Sequence, residues 1–110
     1  MSSENESILE SLRRFVAERD WRQFHTPKNL TMALSVEASE LMEHFQWLTA
    51  EESDVLSVEK KAAVAEEIAD VQIYLLMLAD RLGIDVEQAV RSKIVKNGQK
   101  YPAGSATTEL

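Results

Sequence analysis

The chain has no cysteine. Disulfides and thiolate metal sites are therefore excluded, and the residue mix fits a reducing cytoplasm, where the protein is expected to act. It has only three glycines and two prolines among 110 residues. Few positions break regular structure, and those few mark boundaries. Cations are outnumbered, with 12 Lys and Arg against 19 Asp and Glu and a formal net charge of −7. That argues against a nucleic-acid polymer as partner, which needs basic patches to neutralise phosphates. A single nucleotide stays open, because a divalent cation can lie between an acidic protein and a phosphate. No run is apolar and long enough to span a bilayer, so no membrane partner is expected. The polar, acidic start MSSENESILE is unlike a signal peptide. Internal repeats, low-complexity segments and sustained period-two alternation are all missing, which leaves helices as the building material.

The length suits one domain, read as residues 1–102, followed by a loose tail at 103–110, AGSATTEL. Four helices follow from the spacing of apolar residues. The first spans about Ser7 to Asp20, with Ile8, Leu12, Phe15 and Val16 on one face. The second runs from about Lys28 to Leu48, and TAEESDVLS then breaks the pattern. The third runs from Val58 to Leu82 and stops at Gly83. Asp85 caps a fourth, from Val86 to Asn97. The expected fold is all-α, a four-helix bundle.

The second helix holds the run EASELMEHFQW, in which Glu37, Glu40 and Glu43 recur every third residue among apolar neighbours. On a wheel at about 100° per residue, Leu34, Ala38, Leu41, Phe45 and Leu48 form one apolar stripe. Glu37 borders that stripe, Glu40 lies one step further round, and Met32, Val36 and Trp47 make a second apolar side. The third helix repeats the theme. Ile68, Val71, Leu75, Ala79 and Leu82 form a stripe, and Glu67, Asp70 and Tyr74 share another face. VQIYLLMLA is apolar nearly all round, which calls for burial on two sides and so for neighbours in another subunit.

The acids make two i, i+3 pairs, Glu37/Glu40 and Glu67/Asp70, each with both side chains on one face. Such a pair alone is usually solvated surface. Two pairs that both flank apolar stripes, each followed by an aromatic residue, are a rarer pattern. Four convergent carboxylates would repel and raise one another's pKa. A hard divalent cation such as Mg²⁺ relieves that, because it takes oxygen ligands, keeps waters and also binds phosphates.

Beyond these pairs, the stretches RDWRQFHTPKNL, EASELMEHFQW, EEIADVQIYLLMLADRLGID and SKIVKNGQKYP resemble the all-α nucleotide pyrophosphohydrolases related to MazG, in the dCTP pyrophosphatase branch. The resemblance covers about Ile8 to Pro102. It implies hydrolysis of a nucleoside triphosphate between the α and β phosphates. It further implies Mg²⁺ bound by Glu37, Glu40, Glu67 and Asp70. In such a metal-assisted hydrolysis a carboxylate not fully committed to the metal takes the proton from water, and Glu37 and Glu40 are the candidates. Trp21, Trp47 and Tyr74 would lie around base and sugar, and Lys93, Asn97, Lys100 and Tyr101 near the phosphates. His25 could touch phosphate or shape the loop before the second helix. The animal dCTP enzymes carry a histidine near the base where this chain has Leu12. The branch implies a homo-oligomer, with the tetramer favoured over the dimer. Two other readings compete: a non-catalytic helical module that oligomerises and binds metal, and a pyrophosphohydrolase for another nucleotide, such as a damaged one or phosphoribosyl-ATP.

Overall fold

Each α-helix starts on a side chain that caps it. In the computed structural model, which describes residues 6–104, α1 (Ile8–Glu18) begins at Ser7, whose hydroxyl accepts from the Glu10 N–H. α2 (Pro27–Glu43) begins at Thr26 and carries Pro27 at its first position, where a missing N–H costs nothing. α3 (Ala50–Ser53) opens with a reciprocal pair: Thr49 accepts from the Glu52 N–H and Glu52 from the Thr49 N–H. Ser57 caps α4 (Val58–Arg81) and Asp85 caps α5 (Val86–Lys100). Each such cap is worth about 1 kcal/mol. A single 3-10 turn, Arg22–Phe24, lies between α1 and α2.

Two helices end in the same way. At the end of α4 the Ile84 N–H donates to Ala79 O and the Gly83 N–H to Asp80 O, with Gly83 at φ 69°. At the end of α1 the Trp21 N–H donates to Val16 O and the Asp20 N–H to Ala17 O, with Asp20 at φ 55°. Glycine is the usual occupant of that left-handed position, and aspartate is one of the few other residues that tolerate it. The turn folds Trp21 back over the end of α1, where its ring meets Phe15 edge-on at 5.6 Å.

The four long helices are those marked by the periodicity, and the class is all-α. The boundaries differ in three places. α2 stops at Glu43, five residues before Leu48. From His44 onward the backbone tightens: Phe45 and Gln46 both donate to Met42 O, and Leu48 donates to Phe45 O. The Thr49–Glu52 pair then starts α3, so part of TAEESDVLS is helical rather than turn. Phe45, Trp47 and Leu48 therefore leave the wheel on which the apolar stripe of the second helix is drawn. α5 runs on past Asn97 to Lys100, through Gly98. Residues 1–5 and 105–110, which hold most of the polar start and of the expected tail, lie outside the described residues.

α2 and α4 form the main packed pair, α1 rests lightly on α4, and α5 makes at most slight contact with the other helices. Leu30, Val64 and Ala79 are the buried apolar side chains among the described residues. Ile68, Leu75 and Leu82, read from sequence as a buried stripe, are exposed, Ile68 at 54%. The radius of gyration is 17.2 Å, against about 13 Å for a compact domain of this length. Large apolar side chains stand exposed on several helices, among them Met32, Val36, Ile94 and Val95. Patches of that kind mark surfaces that other protein covers.

Candidate metal centre

The packing of α2 on α4 decides where the acids meet. Glu67 and Asp70 share a face of α4, one turn apart, and α2 brings Glu37 against them. One carboxylate oxygen from each of Glu37, Glu67 and Asp70 lies within 4.8 Å of the others. Asp70 is exposed, and Glu37 and Glu67 are half-buried. Oε2 of Glu37 and Oε2 of Glu67 are both shielded from solvent and accept no hydrogen bond. A shielded carboxylate oxygen without a donor is costly, and native structures rarely leave one so. Burial pushes the Glu37 carboxyl up to about 7, helped by hydrogen bonding with Glu67 and Glu40 and by the charges of Glu40 and Asp70. The group thus wants a proton or a cation. Two orphaned oxygens, an all-oxygen donor set and mutual repulsion fit a hard divalent ion such as Mg²⁺. Of the four expected acids, three come together. Glu40 stays one turn along α2, outside the cluster, but within hydrogen-bonding reach of Glu37, where its charge also acts.

The raised carboxyl has a consequence for pH. Its folded-state pKa, about 7, exceeds the reference value of 4.5. The group therefore favours the fold below pH 4.5, and that contribution is lost as pH climbs to 7. A bound cation must displace the same proton. The rise in Tm produced by Mg²⁺ is therefore expected to be small at pH 5 and to grow through pH 8, measured by thermal melting with and without the ion. A shift of equal size at both pH values would contradict the assignment.

A cavity of about 250 Å³ lies between α1, the 3-10 turn and α4, with Leu12, Val16, Leu30 and Met77 among its apolar walls. Arg13, Arg22, His25, Asp80 and Arg81 supply its polar side. Arg13 and Asp80 join α1 to α4 across 67 residues: Arg13 Nε donates to both Asp80 oxygens, at 3.2 and 3.0 Å, and its Nη2 donates to Oδ1. That hydrogen bond, against the opposing effect of burial, and the charges of Arg13 and Arg22 hold the Asp80 carboxyl below the usual carboxylate range. Arg81 Nη1 donates to Arg22 O and fastens the 3-10 turn to α4. Nothing local in the sequence points to Arg13, Asp80 or Arg22. Asp80-Arg81 reads as an ordinary charged pair near a helix end, and its partner is remote.

The other expected site residues fall into three places. His25 lines the cavity, with a shielded Nδ1 that has no partner. Trp21 packs edge-on against both Phe15 and His25. Tyr74 is half-buried, one turn beyond Asp70 on α4. Trp47 lies beyond the end of α2 and is 87% exposed, so this chain alone does not bring it against the acids. On α5, Lys93 and Lys100 are exposed while Asn97 and Tyr101 are half-covered, and the Lys100 ammonium sits 5.2 Å from the Tyr101 ring centre. α5 does not pack closely on the α2–α4 pair, so these four stand apart from the cluster.

Residues 32–109 match the MazG-like family, a span that holds all four candidate acids. The chain belongs to the MazG-like family. Individual members are similar to it over nearly its whole length. It is 46% identical over 107 residues to a dCTP pyrophosphatase 1 of Bos taurus, which takes in 92% of this chain. It is 48% identical over 104 residues to a dCTP pyrophosphatase 1 of Homo sapiens, which takes in 89%. The chain spans only 63% and 61% of those two relatives' own length. Among solved structures, a pyrophosphatase from Archaeoglobus fulgidus is 44% identical, with a TM-score of 0.84 over 93% of this chain and 95% of that one. The α2–α4 pair and its acids are thus set in a MazG-like all-α framework.

Proposed function

We propose that the chain is a Mg²⁺-dependent nucleoside triphosphate pyrophosphohydrolase. It cleaves dCTP, or a modified dCTP, between the α and β phosphates to give the monophosphate and pyrophosphate. The observation that carries this reading is the cluster of Glu37, Glu67 and Asp70 with its two orphaned, shielded oxygens. The names of the relatives support the substrate.

In this mechanism Glu37, Glu67 and Asp70 would hold the cation, with Glu40 beside them. When bound, the ion neutralises charge on the phosphates and acidifies a water. Glu37 or Glu40 takes the proton from the attacking water, the role falling to whichever is less committed to the cation. Oxygen from water joins phosphorus, the α–β bridge breaks, and pyrophosphate leaves in line. Little covalent chemistry is asked of the protein beyond positioning and charge. Trp21 and Tyr74 flank base and sugar, with Trp47 at the outer wall and His25 at the floor.

Lys93 and Lys100 stabilise the departing pyrophosphate, with Asn97 and Tyr101 beside them. In a single chain α5 stands off the α2–α4 pair. These residues therefore serve the phosphates across a subunit boundary, which makes the working form a homo-oligomer, a tetramer in this reading. The small core, the large radius of gyration and the exposed apolar side chains support an assembly.

The test is the product. Incubation with dCTP and Mg²⁺ is expected to yield dCMP and pyrophosphate in equal amounts, resolved by phosphorus NMR. Appearance of dCDP and inorganic phosphate instead would contradict α–β cleavage.

A further inference from the structure

The acid cluster and the cavity lie on one seam. On α4, Asp70, Tyr74, Met77 and Arg81 recur at i, i+4, i+7 and i+11, the repeat of a single helix face. On α2, Leu30 and Glu37 are seven residues apart and share a face too. Seven helical residues advance about 10 Å. A nucleotide held at the acids by its phosphates can therefore reach the cavity with its base. The cavity, about 250 Å³, is smaller than the ~300–1,000 Å³ of sites that take a whole drug-sized ligand. It suits one ring system rather than an entire molecule.

Most of its wall is apolar, but one fixed carboxylate interrupts it. Asp80 is gripped by Arg13 through Nε and Nη2, and 23% of its side chain remains open to solvent. A carboxylate has about four acceptor positions and, when ionised, no donor. Arg13 approaches from α1, so acceptor capacity is left over on a group that cannot swing away. Arg13 and Arg22 keep it negative in an otherwise acidic protein, and Arg81 lines the same cavity.

Building on the pyrophosphohydrolase reading, we propose that Asp80 is a specificity-determining residue that accepts a hydrogen bond from the exocyclic amine of the base. Arg13 is its positioning partner. An amino-pyrimidine donates through that amine, whereas an oxo-pyrimidine presents a carbonyl there, and acceptor would face acceptor. A site that leaves a buried polar group unpaired rejects the wrong ligand far better than one that merely loses contact.

The experiment compares kcat/KM for dCTP, dTTP and dATP in the wild type, Asp80→Asn and Arg13→Gln, with Mg²⁺ present. The wild type is expected to prefer dCTP. Asp80→Asn should lower the dCTP value by about tenfold or more while the dTTP value holds or rises, since an amide can donate to a carbonyl. Arg13→Gln should erode the same preference, mainly through KM. A dCTP-to-dTTP ratio within twofold of wild type in Asp80→Asn overturns the proposal, as does a wild type that prefers dTTP over dCTP. Helical content by circular dichroism confirms folding, and Arg13→Gln answers the question if Asp80→Asn does not fold. Equilibrium binding of dCMP and dTMP separates the two readings. If the wild type hydrolyses nothing but binds dCMP better than dTMP, and Asp80→Asn loses that difference, the activity fails while Asp80's role stands. Turnover with an unchanged ratio gives the reverse.

Discussion

Replacing Glu67 or Asp70 with alanine is expected to abolish pyrophosphate release while the helices stay intact. Both residues offer an oxygen to the cluster, and Glu67 Oε2 has no donor of its own. Loss of partners outside the ligand shell of a metal typically costs about 10–100-fold, and loss of a ligand costs more. A fall in kcat/KM on the order of a hundredfold or more is therefore predicted for each variant. The effect on stability should go the other way. Without cation, removing one of several crowded carboxylates relieves repulsion, so the metal-free Tm should hold or rise. The gain in Tm on adding Mg²⁺ should disappear. Near-normal turnover in either variant, or a Mg²⁺ shift of wild-type size, would remove the cluster from the mechanism.

Leu30→Ala is expected to give the largest loss of stability of any single truncation. Leu30 is 2% exposed, the deepest side chain of a core with few others. It sits on α2 in the main packed pair and also lines the cavity. Truncating a fully buried leucine costs about 2–5 kcal/mol, the lost transfer energy plus the hole left behind. For a domain of this size that corresponds to a Tm about 10–25 °C lower. A drop of less than about 3 °C would mean that the seam collapses around the gap, or that contacts between subunits carry the stability instead.

Much of this was legible in the residues. The helices announce themselves because few glycines and prolines interrupt them and because Gly83 and Asp85 end one helix and begin the next. The acid pairs stand out because acids on the edge of an apolar stripe conflict with simple burial. Three other things were not legible, each for a physical reason. α2 ends at Glu43 because the Thr49–Glu52 pair starts a new helix downstream, and an apolar pattern that continues through Phe45 and Leu48 hides it. The turn at Asp20 uses a residue without the signal that glycine gives. The Arg13–Asp80 bond spans 67 residues, and no local pattern encodes a contact of that range. The stripe of Ile68, Leu75 and Leu82 is a different case. Its apolar character is real, but the single chain leaves it uncovered, as a surface awaiting another subunit would be.

The same separation applies to the site. Spacing alone pairs Glu37 with Glu40 and Glu67 with Asp70, but which acids converge depends on how α2 and α4 pack. Glu37 joins the α4 pair, and Glu40, outside the cluster, acts on it through a hydrogen bond and its charge. Burial and its neighbours raise the Glu37 carboxyl at the centre of the cluster.

Mg²⁺-dependent turnover is tested most directly by pyrophosphate release from a panel of canonical and modified nucleoside triphosphates, with and without the ion. Release is expected to require the ion and to be strongest for dCTP or its 5-substituted forms. No release from any nucleotide, with Mg²⁺ still raising the Tm, would contradict this expectation and leave a metal-binding helical module without turnover.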